Sequence, residues 1–247
     1  MYEAVHAHPD GDSTVARLAV TAVEYGFDGL VVRNHGDAPA EYDREAIAET
    51  YGIDVVDGVE IRAADPSRAS GFVGNHRDRR TIVAVHGGST EMNRFAVEQP
   101  AVDVLAHPLA GDGDVDHVTV KTAAENGVHL EWSLRDALRA DGGERVATLR
   151  KLRKLADLID EYDAPYVVSG DPRSHLAIRA PRELLAVGEA IGYTGAWIET
   201  GLEAWRTITV RNRKRAGEDF IEPGVTRGSV DEGGDHSLAG DAGDSCR

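Results

Sequence analysis

His6 and His8 stand two residues apart in VHAHPDGD. Further imidazoles and carboxylates follow at the ends of apolar runs. His35 closes GLVVRNH, Glu60 lies in VVDGVEIR, His86 closes TIVAVH and His107 closes VDVLAHP. Asp171 and His175 follow YVVS in the stretch GDPRSH. Side chains repeat every two residues along a strand, so an HxH pair on one strand faces one way. Two imidazoles on one face, joined by carboxylates from neighbouring strand ends, are what a divalent manganese, zinc or iron site requires. Such a site would activate water for phosphoester hydrolysis.

A second constellation is basic. Arg211-Asn212-Arg213-Lys214-Arg215 places four cations in five residues, and few acids lie nearby in sequence before Glu218. Arg145, Arg150, Lys151, Arg153 and Lys154 form another cluster, with Asp157, Asp160 and Glu161 close enough in sequence to neutralise it. Arg77, Arg79 and Arg80 form a third. Guanidinium groups hold phosphate bidentately and stay charged, so such clusters can track an RNA backbone even on an acidic protein.

The elements that must position these groups follow from periodicity. Strands are expected at Ala4–His6, Gly29–Arg33, Val55–Ile61, Thr81–Val85, Val102–Ala106, Val128–Trp132, Tyr166–Ser169 and Ala196–Ile198. Helices are expected at Ser13–Tyr25, Ala40–Tyr51, Val115–Asn126, Glu144–Tyr162 and Pro181–Ile191, several stopping at a glycine. Residues 62–80 read as an irregular segment. Strands alternating with helices indicate parallel βαβ units, and about eight repeats without a glycine-rich nucleotide turn favour a closed barrel. The expected architecture is a single-domain, TIM-barrel-like parallel α/β barrel spanning residues 1–225. Its C-terminal strand ends form the rim that carries the histidines. Residues 226–247 are rich in Gly, Ser, Asp and Glu and read as a disordered acidic tail.

Composition bounds the setting. The chain has 247 residues, a net charge of -16 and only four lysines among its 27 basic residues. That acidity fits a protein from salt-loving cells. The single cysteine, Cys246, excludes a disulfide framework and a thiolate metal site. No apolar run approaches a membrane helix, and His6, His8 and Asp10 interrupt any leader-like stretch. The expectation is a cytoplasmic protein with no membrane partner.

The histidine–carboxylate set resembles the polymerase-and-histidinol-phosphatase superfamily, whose strands carry HxH, a strand-ending DH, a Glu, further His residues and a closing DxH. Two departures stand out. Asn34-His35 has an amide where the superfamily has a carboxylate, and in Asp171-Pro-Arg-Ser-His175 the His follows four residues on instead of two. A closer resemblance covers roughly residues 1–225. GFDGLVVRNH (26–35), VDVLAHP (102–108), RVATLRKLRKLADLIDEYDAPYVVSGDPRSH (145–175), LAIRAPRELLAVGEAIGY (176–193) and ITVRNRKR (208–215) are similar to the family that joins archaeal ribonuclease P component 3 with the eukaryotic thirty-kilodalton subunit.

That resemblance implies a barrel related to the phosphatases but serving as a subunit of the ribonucleoprotein that removes the 5′ leader from precursor tRNA. Its RNA subunit performs the hydrolysis with magnesium. No catalytic residue is then expected in this chain. The implied partners are ribonuclease P RNA, precursor tRNA, a small partner protein and the other protein subunits. The expected RNA contacts are Arg211, Arg213, Lys214 and Arg215, with Arg179 and Arg182 of IRAPREL and Arg150, Lys151, Arg153 and Lys154 of the long helix. The alternative is a metal-dependent phosphoesterase using His6, His8, His35, Glu60, His86, His107, Asp171 and His175 as ligands.

Overall fold

The computed structural model describes residues 1–217 and two short strands just beyond them. Seven parallel strands follow one another in chain order: β1 (Tyr2–Val5), β2 (Gly29–Val32), β3 (Asp54–Ile61), β4 (Ile82–His86), β5 (Val104–Ala106), β6 (His129–Ser133) and β7 (Tyr166–Ser169). The intervening helices are α1 (Val15–Tyr25), α2 (Arg44–Tyr51), α3 (Pro66–Arg77), α4 (Thr90–Val97), α5 (His117–Asn126), α6 (Arg135–Arg139), α7 (Gly142–Tyr162) and α8 (Pro181–Ile191). The 22-residue helix α9 (Gly195–Ala216) follows, then an antiparallel pair, β8 (Phe220–Glu222) and β9 (Val225–Thr226). Apart from Thr226, the expected acidic tail at 226–247 lies outside the described residues. Among the described residues, no helix is long and apolar enough to cross a membrane.

Local chemistry sets the element ends. Thr14, Asp43, Asp65, Ser89 and Asp116 each accept a backbone N–H from the first turn of the helix they precede. Gly26, Gly52, Gly127 and Gly192 end α1, α2, α5 and α8 in the left-handed conformation. The strands are buried on both faces, as parallel strands under helices must be. One face packs on the helices. The other forms an inner core of Tyr2, Ala4, Val31, Val56, Ile82, Ala84, Val104, Ala106 and Val167, closed by Trp205 and Ile208 of α9.

The barrel is nearly closed. No ladder joins β7 to β1; α9 packs against both instead. Gly201 permits this approach, since a Cβ there would lie 2.4 Å from Val168 Cγ2. The Trp205 indole then donates to the Val168 carbonyl at 2.9 Å, satisfying an acceptor on the open strand. Glu3 spans the same seam, accepting the backbone N–H of Ala4 at 3.0 Å and of Gly170 at 3.1 Å.

Two expectations about elements are corrected. Ala196–Ile198 is not a strand but part of the first turn of α9, whose N-cap is Thr194. Its Ala-Trp-Ile run is one stretch of a long amphipathic helix. Residues 62–80 are not irregular, because α3 occupies Pro66–Arg77 behind the Asp65 cap and buries Ala69 and Val73.

Candidate functional site

The period-two alternation that builds the inner core continues toward the C-terminal rim. Beyond Ala4 comes His6, beyond Val31 comes Arg33, beyond Val56 come Gly58 and Glu60, and beyond Ala84 comes His86. Beyond Val167 come Ser169 and Asp171, and Glu131 projects from β6. The apolar barrel is thus topped by one charged layer, in which Glu60, Glu131, Asp171 and Arg33 are buried completely or nearly so.

Arg33 lies at its centre. Its Nη1 donates to Glu60 Oε2 at 2.8 Å, and its Nη2 donates to Glu131 Oε1 at 2.5 Å and Asp171 Oδ1 at 3.2 Å. The Trp205 ring lies 5.6 Å from its Cζ, within cation–π range. Burial disfavours the guanidinium's charge, but Glu131, Glu60 and Asp171 outweigh that and raise its pKa further. Arg135 reaches the remaining oxygen of Asp171 at 3.0 Å, and Ser169 donates to Glu131 at 2.5 Å. Burial alone would push Glu60 and Asp171 up, yet Arg33 and the surrounding imidazoles hold both well below the usual carboxylate range.

Four imidazoles form an arc over this layer. Ring centroids run His6–His35 at 5.1 Å, His35–His86 at 5.4 Å and His86–His107 at 4.8 Å. Asp10 Oδ2 meets the Nδ1 atoms of His6 (2.7 Å) and His35 (2.8 Å) and accepts the His35 backbone N–H at 3.0 Å. Arg173 binds its other oxygen at 2.6 Å. The His6 Nε2 therefore faces Asp171 and Glu60, at 3.3 and 3.5 Å. Burial opposes a charged His6, but Asp10, Asp171 and Glu60 raise its pKa to about 10. His35 is raised in the same way by Asp10 and Glu60 against the cost of burial. Glu60 Oε1 also receives His86 Nδ1 at 2.5 Å.

The structure therefore brings together His6, His35, Glu60, His86, His107 and Asp171, and leaves out two expected ligands. β1 ends at Val5, so the same-face argument lapses beyond His6 and the His8 side chain is exposed. His175 lies on a 3-10 turn and pairs with Ser13 Oγ at 2.8 Å. Asn34 is not a weakened ligand. Its amide grips the backbone of Ala7 at both N–H and carbonyl and also binds the Ala38 carbonyl. Three site residues escaped the sequence reading: Asp10, Arg33 and Glu131. A lone carboxylate inside the apolar strand HLEWS was the available signal for Glu131, since such groups are rarely buried without a partner.

Three triads within the cluster have ligand atoms close enough for a cation: His6–Asp10–His35, His6–His107–Asp171 and His35–Glu60–His86. The donor types suit zinc or manganese. The charge count does not, because the Arg33 guanidinium already occupies the space between the three carboxylates. As they stand, these residues do not fit the close two-metal arrangement of a phosphoesterase. Beside the cluster a cleft of about 550 Å³ opens, bordered by His107, Glu131, Ser133, Arg139 and Lys151.

Two of the three basic segments, 77–80 and 211–215, meet at the opposite end of the barrel. There α9 crosses the N-terminal mouth toward the start of β4, and a groove of about 640 Å³ runs among Arg77, Arg79, Arg80, Arg213 and Arg215. The RNRKR string is less free than its sequence surroundings suggest. Arg211 pairs with Asp103 at 2.8 Å, Arg213 grips Asp54 with two bonds of 2.7 and 2.8 Å, and Asn212 binds Asp103 and the Thr81 carbonyl. The acids are distant in sequence: Asp54 opens β3 and Asp103 immediately precedes β5. Arg77 also pairs with Asp103, and Arg80 with Asp57. Among the described residues, Lys214, Arg215 and Arg79 make no ion pair.

The long-helix cluster is tied down by other partners than those expected. Lys154 pairs with Asp114, while Lys151 and Arg153 donate to the carbonyls of Leu109 and Ile191. Asp157 and Asp160 instead accept from Tyr193 and Trp197. Arg179 binds the carbonyls of Leu176 and Ile178. Arg150 and Arg182 are exposed.

The family model described as RNase P subunit p30 matches residues 1–217, the whole of the continuous described chain. The chain belongs to the ribonuclease P p30 family. A p30-family relative from Natronomonas pharaonis, ribonuclease P protein component 3, is 60% identical over 225 residues, covering 91% of this chain and 94% of the relative. Among solved structures, a chain of archaeal ribonuclease P with mature tRNA superposes with a TM-score of 0.76 at 25% identity, covering 90% of this chain and 98% of that one. A zinc-bound histidinol phosphate phosphatase from Lactococcus lactis shares the fold alone, at 11% identity and a TM-score of 0.50, over 85% and 93% of the two chains.

Proposed function

We propose that this p30-family chain is a non-catalytic protein subunit of archaeal ribonuclease P, assisting the RNA subunit in removing the 5′ leader from precursor tRNA. The observation that carries this reading is the likeness, over 98% of that chain's length, to a component of archaeal ribonuclease P with mature tRNA. Two features of the site support it. The Arg33 guanidinium stands among Glu60, Glu131 and Asp171, where a metal that activates water would have to bind. At the other rim, Arg79, Lys214 and Arg215 make no ion pair among the described residues, while Arg77, Arg80, Arg211 and Arg213 are paired with acids.

Phosphate contacts position an RNA without reading its sequence. In this reading Arg79 and Arg215, which line the groove, hold the backbone of ribonuclease P RNA, with Lys214 exposed beside them on α9. Arg211 and Arg213, paired with Asp103 and Asp54, keep α9 seated over the barrel mouth. Magnesium serves the RNA subunit rather than this chain. The further partners are precursor tRNA, the small partner protein and the remaining protein subunits, and the compartment is the cytoplasm.

Reconstitution tests it. Ribonuclease P RNA combined with the full protein set should release the leader from precursor tRNA, and omission of this chain should abolish or strongly slow release at physiological magnesium. Undiminished processing without the chain would remove the assignment.

A further inference from the structure

We infer that Arg33 is a resident cation standing where the barrel would otherwise take a divalent metal, and that removing it converts the centre into a metal-binding site. The inference concerns the barrel centre alone and does not depend on the RNA face.

Glu60 of β3, Glu131 of β6 and Asp171, two residues past the end of β7, converge with essentially no exposure. Three buried carboxylates cannot coexist without cations between them. Arg33 supplies the central charge, through bonds of 2.8 Å to Glu60, 2.5 Å to Glu131 and 3.2 Å to Asp171. Its Nε is buried with no partner. A guanidinium placed for its own hydrogen bonding would use that N–H. The carboxylates fix its position, as they would fix an ion's.

The donors around it are arranged as ligands are. Asp10 holds the Nδ1 atoms of both His6 and His35, which turns their Nε2 atoms toward the carboxylate layer. A carboxylate that orients an imidazole from behind is the usual support of a metal-bound histidine. His6, His107 and Asp171 keep ligand atoms within 4.8 Å of one another, and so do His35, Glu60 and His86. What opposes a metal is the like charge of Arg33, a few ångströms away in a buried setting. The chain has retained the ligands and their orienting carboxylate while placing a covalently attached cation among them.

The test uses the full-length chain as wild type, Arg33→Ala and Arg33→Lys, stripped with chelator and then titrated with Mn²⁺ or Zn²⁺ alone. Metal content after desalting, calorimetric titration and thermal melting are read together. Arg33→Ala should retain about one equivalent of metal, bind at least about tenfold more tightly than wild type and melt higher with metal present. Arg33→Lys keeps the charge and should behave as wild type. Because Arg33→Ala leaves three carboxylates unbalanced, it could fail to fold without metal. The double variant Arg33→Met/Glu131→Gln lowers that charge and keeps both ligand triads, so binding is read in it as well. Wild type that holds a full equivalent of metal after desalting overturns the inference. So does failure of both Arg33→Ala and the double variant to bind either ion.

Discussion

Removing Arg79, Lys214 and Arg215 together should flatten the salt dependence of RNA binding, whereas removing Arg211 or Arg213 should not. The structure separates the two groups. Arg213 is bound bidentately by Asp54 and Arg211 by Asp103, so their charges are already neutralised and release few counterions from RNA. The other three make no ion pair among the described residues. Each phosphate contact contributes ~0.7 to 0.9 to the slope of log affinity against log salt, so the triple alanine variant should lower the slope by about 2 to 3. Across a fourfold change in KCl this makes the variant about 20- to 40-fold less salt-sensitive than wild type. The assay is filter binding of ribonuclease P RNA to the full-length chain across a KCl series, beside Arg213→Ala as control. That control removes a partly exposed pair and should cost no more than about 1 kcal/mol of stability. An unchanged slope in the triple variant, or a slope flattened only by Arg213→Ala, would refute the assignment of this groove.

Three further outcomes follow from the barrel itself. Burial pushes Glu3 up to about 8, although the N–H groups of Gly170 and Ala4 oppose this. Its folded-state pKa lies above the unfolded value, so its contribution is fullest below about pH 4.5 and is lost as pH rises toward 8, by at most about 5 kcal/mol. Glu3→Gln should flatten that decline in denaturant melts run in concentrated KCl, and an equal decline in both proteins would show that Glu3 does not titrate in this range. Asn34→Asp sets a carboxylate against the Ala7 and Ala38 carbonyls and should cost about 2–5 kcal/mol. Added Mn²⁺ should not recover the loss; recovery would mean that position 34 is a ligand position after all. Trp205→Ala empties the barrel floor and frees the Val168 carbonyl, and should cost about 3–5 kcal/mol in urea melts, a loss below ~1 kcal/mol arguing against its plug role.

Seven strands and the rim location of the histidines could be read from β-branched runs ending in polar residues, because period two and glycine stops are local signals. The rest was hidden either by ambiguous local signals or by distant partners. Ala196–Ile198 looks like a strand because a short apolar run carries no periodicity of its own. Residues 66–77 concealed a helix behind Gly71 and Gly74, although Asp65-Pro66 was a legible start. Arg33 reads as an ordinary strand-end charge, and only the arrival of Glu131 and Asp171, 98 and 138 residues later, makes it the centre of the site. The RNRKR string likewise looked unpaired because Asp54 and Asp103 lie more than a hundred residues upstream.

The open seam between β1 and β7 sets an order on synthesis. As the chain emerges, six strand pairings can form in succession, each with its neighbour. The first and seventh strands stay uncovered until residues 195–216 appear, since α9 is the element that spans them. Until then the nascent barrel exposes two strand edges and an apolar lumen, the surfaces most prone to pair with other chains. A ribosome-tethered fragment ending before residue 195 should therefore recruit chaperones, and one extended past 216 should let them go. The helix that carries the basic string is also the last part of the barrel to be made, so the groove proposed for RNA exists only on molecules whose barrel has been completed.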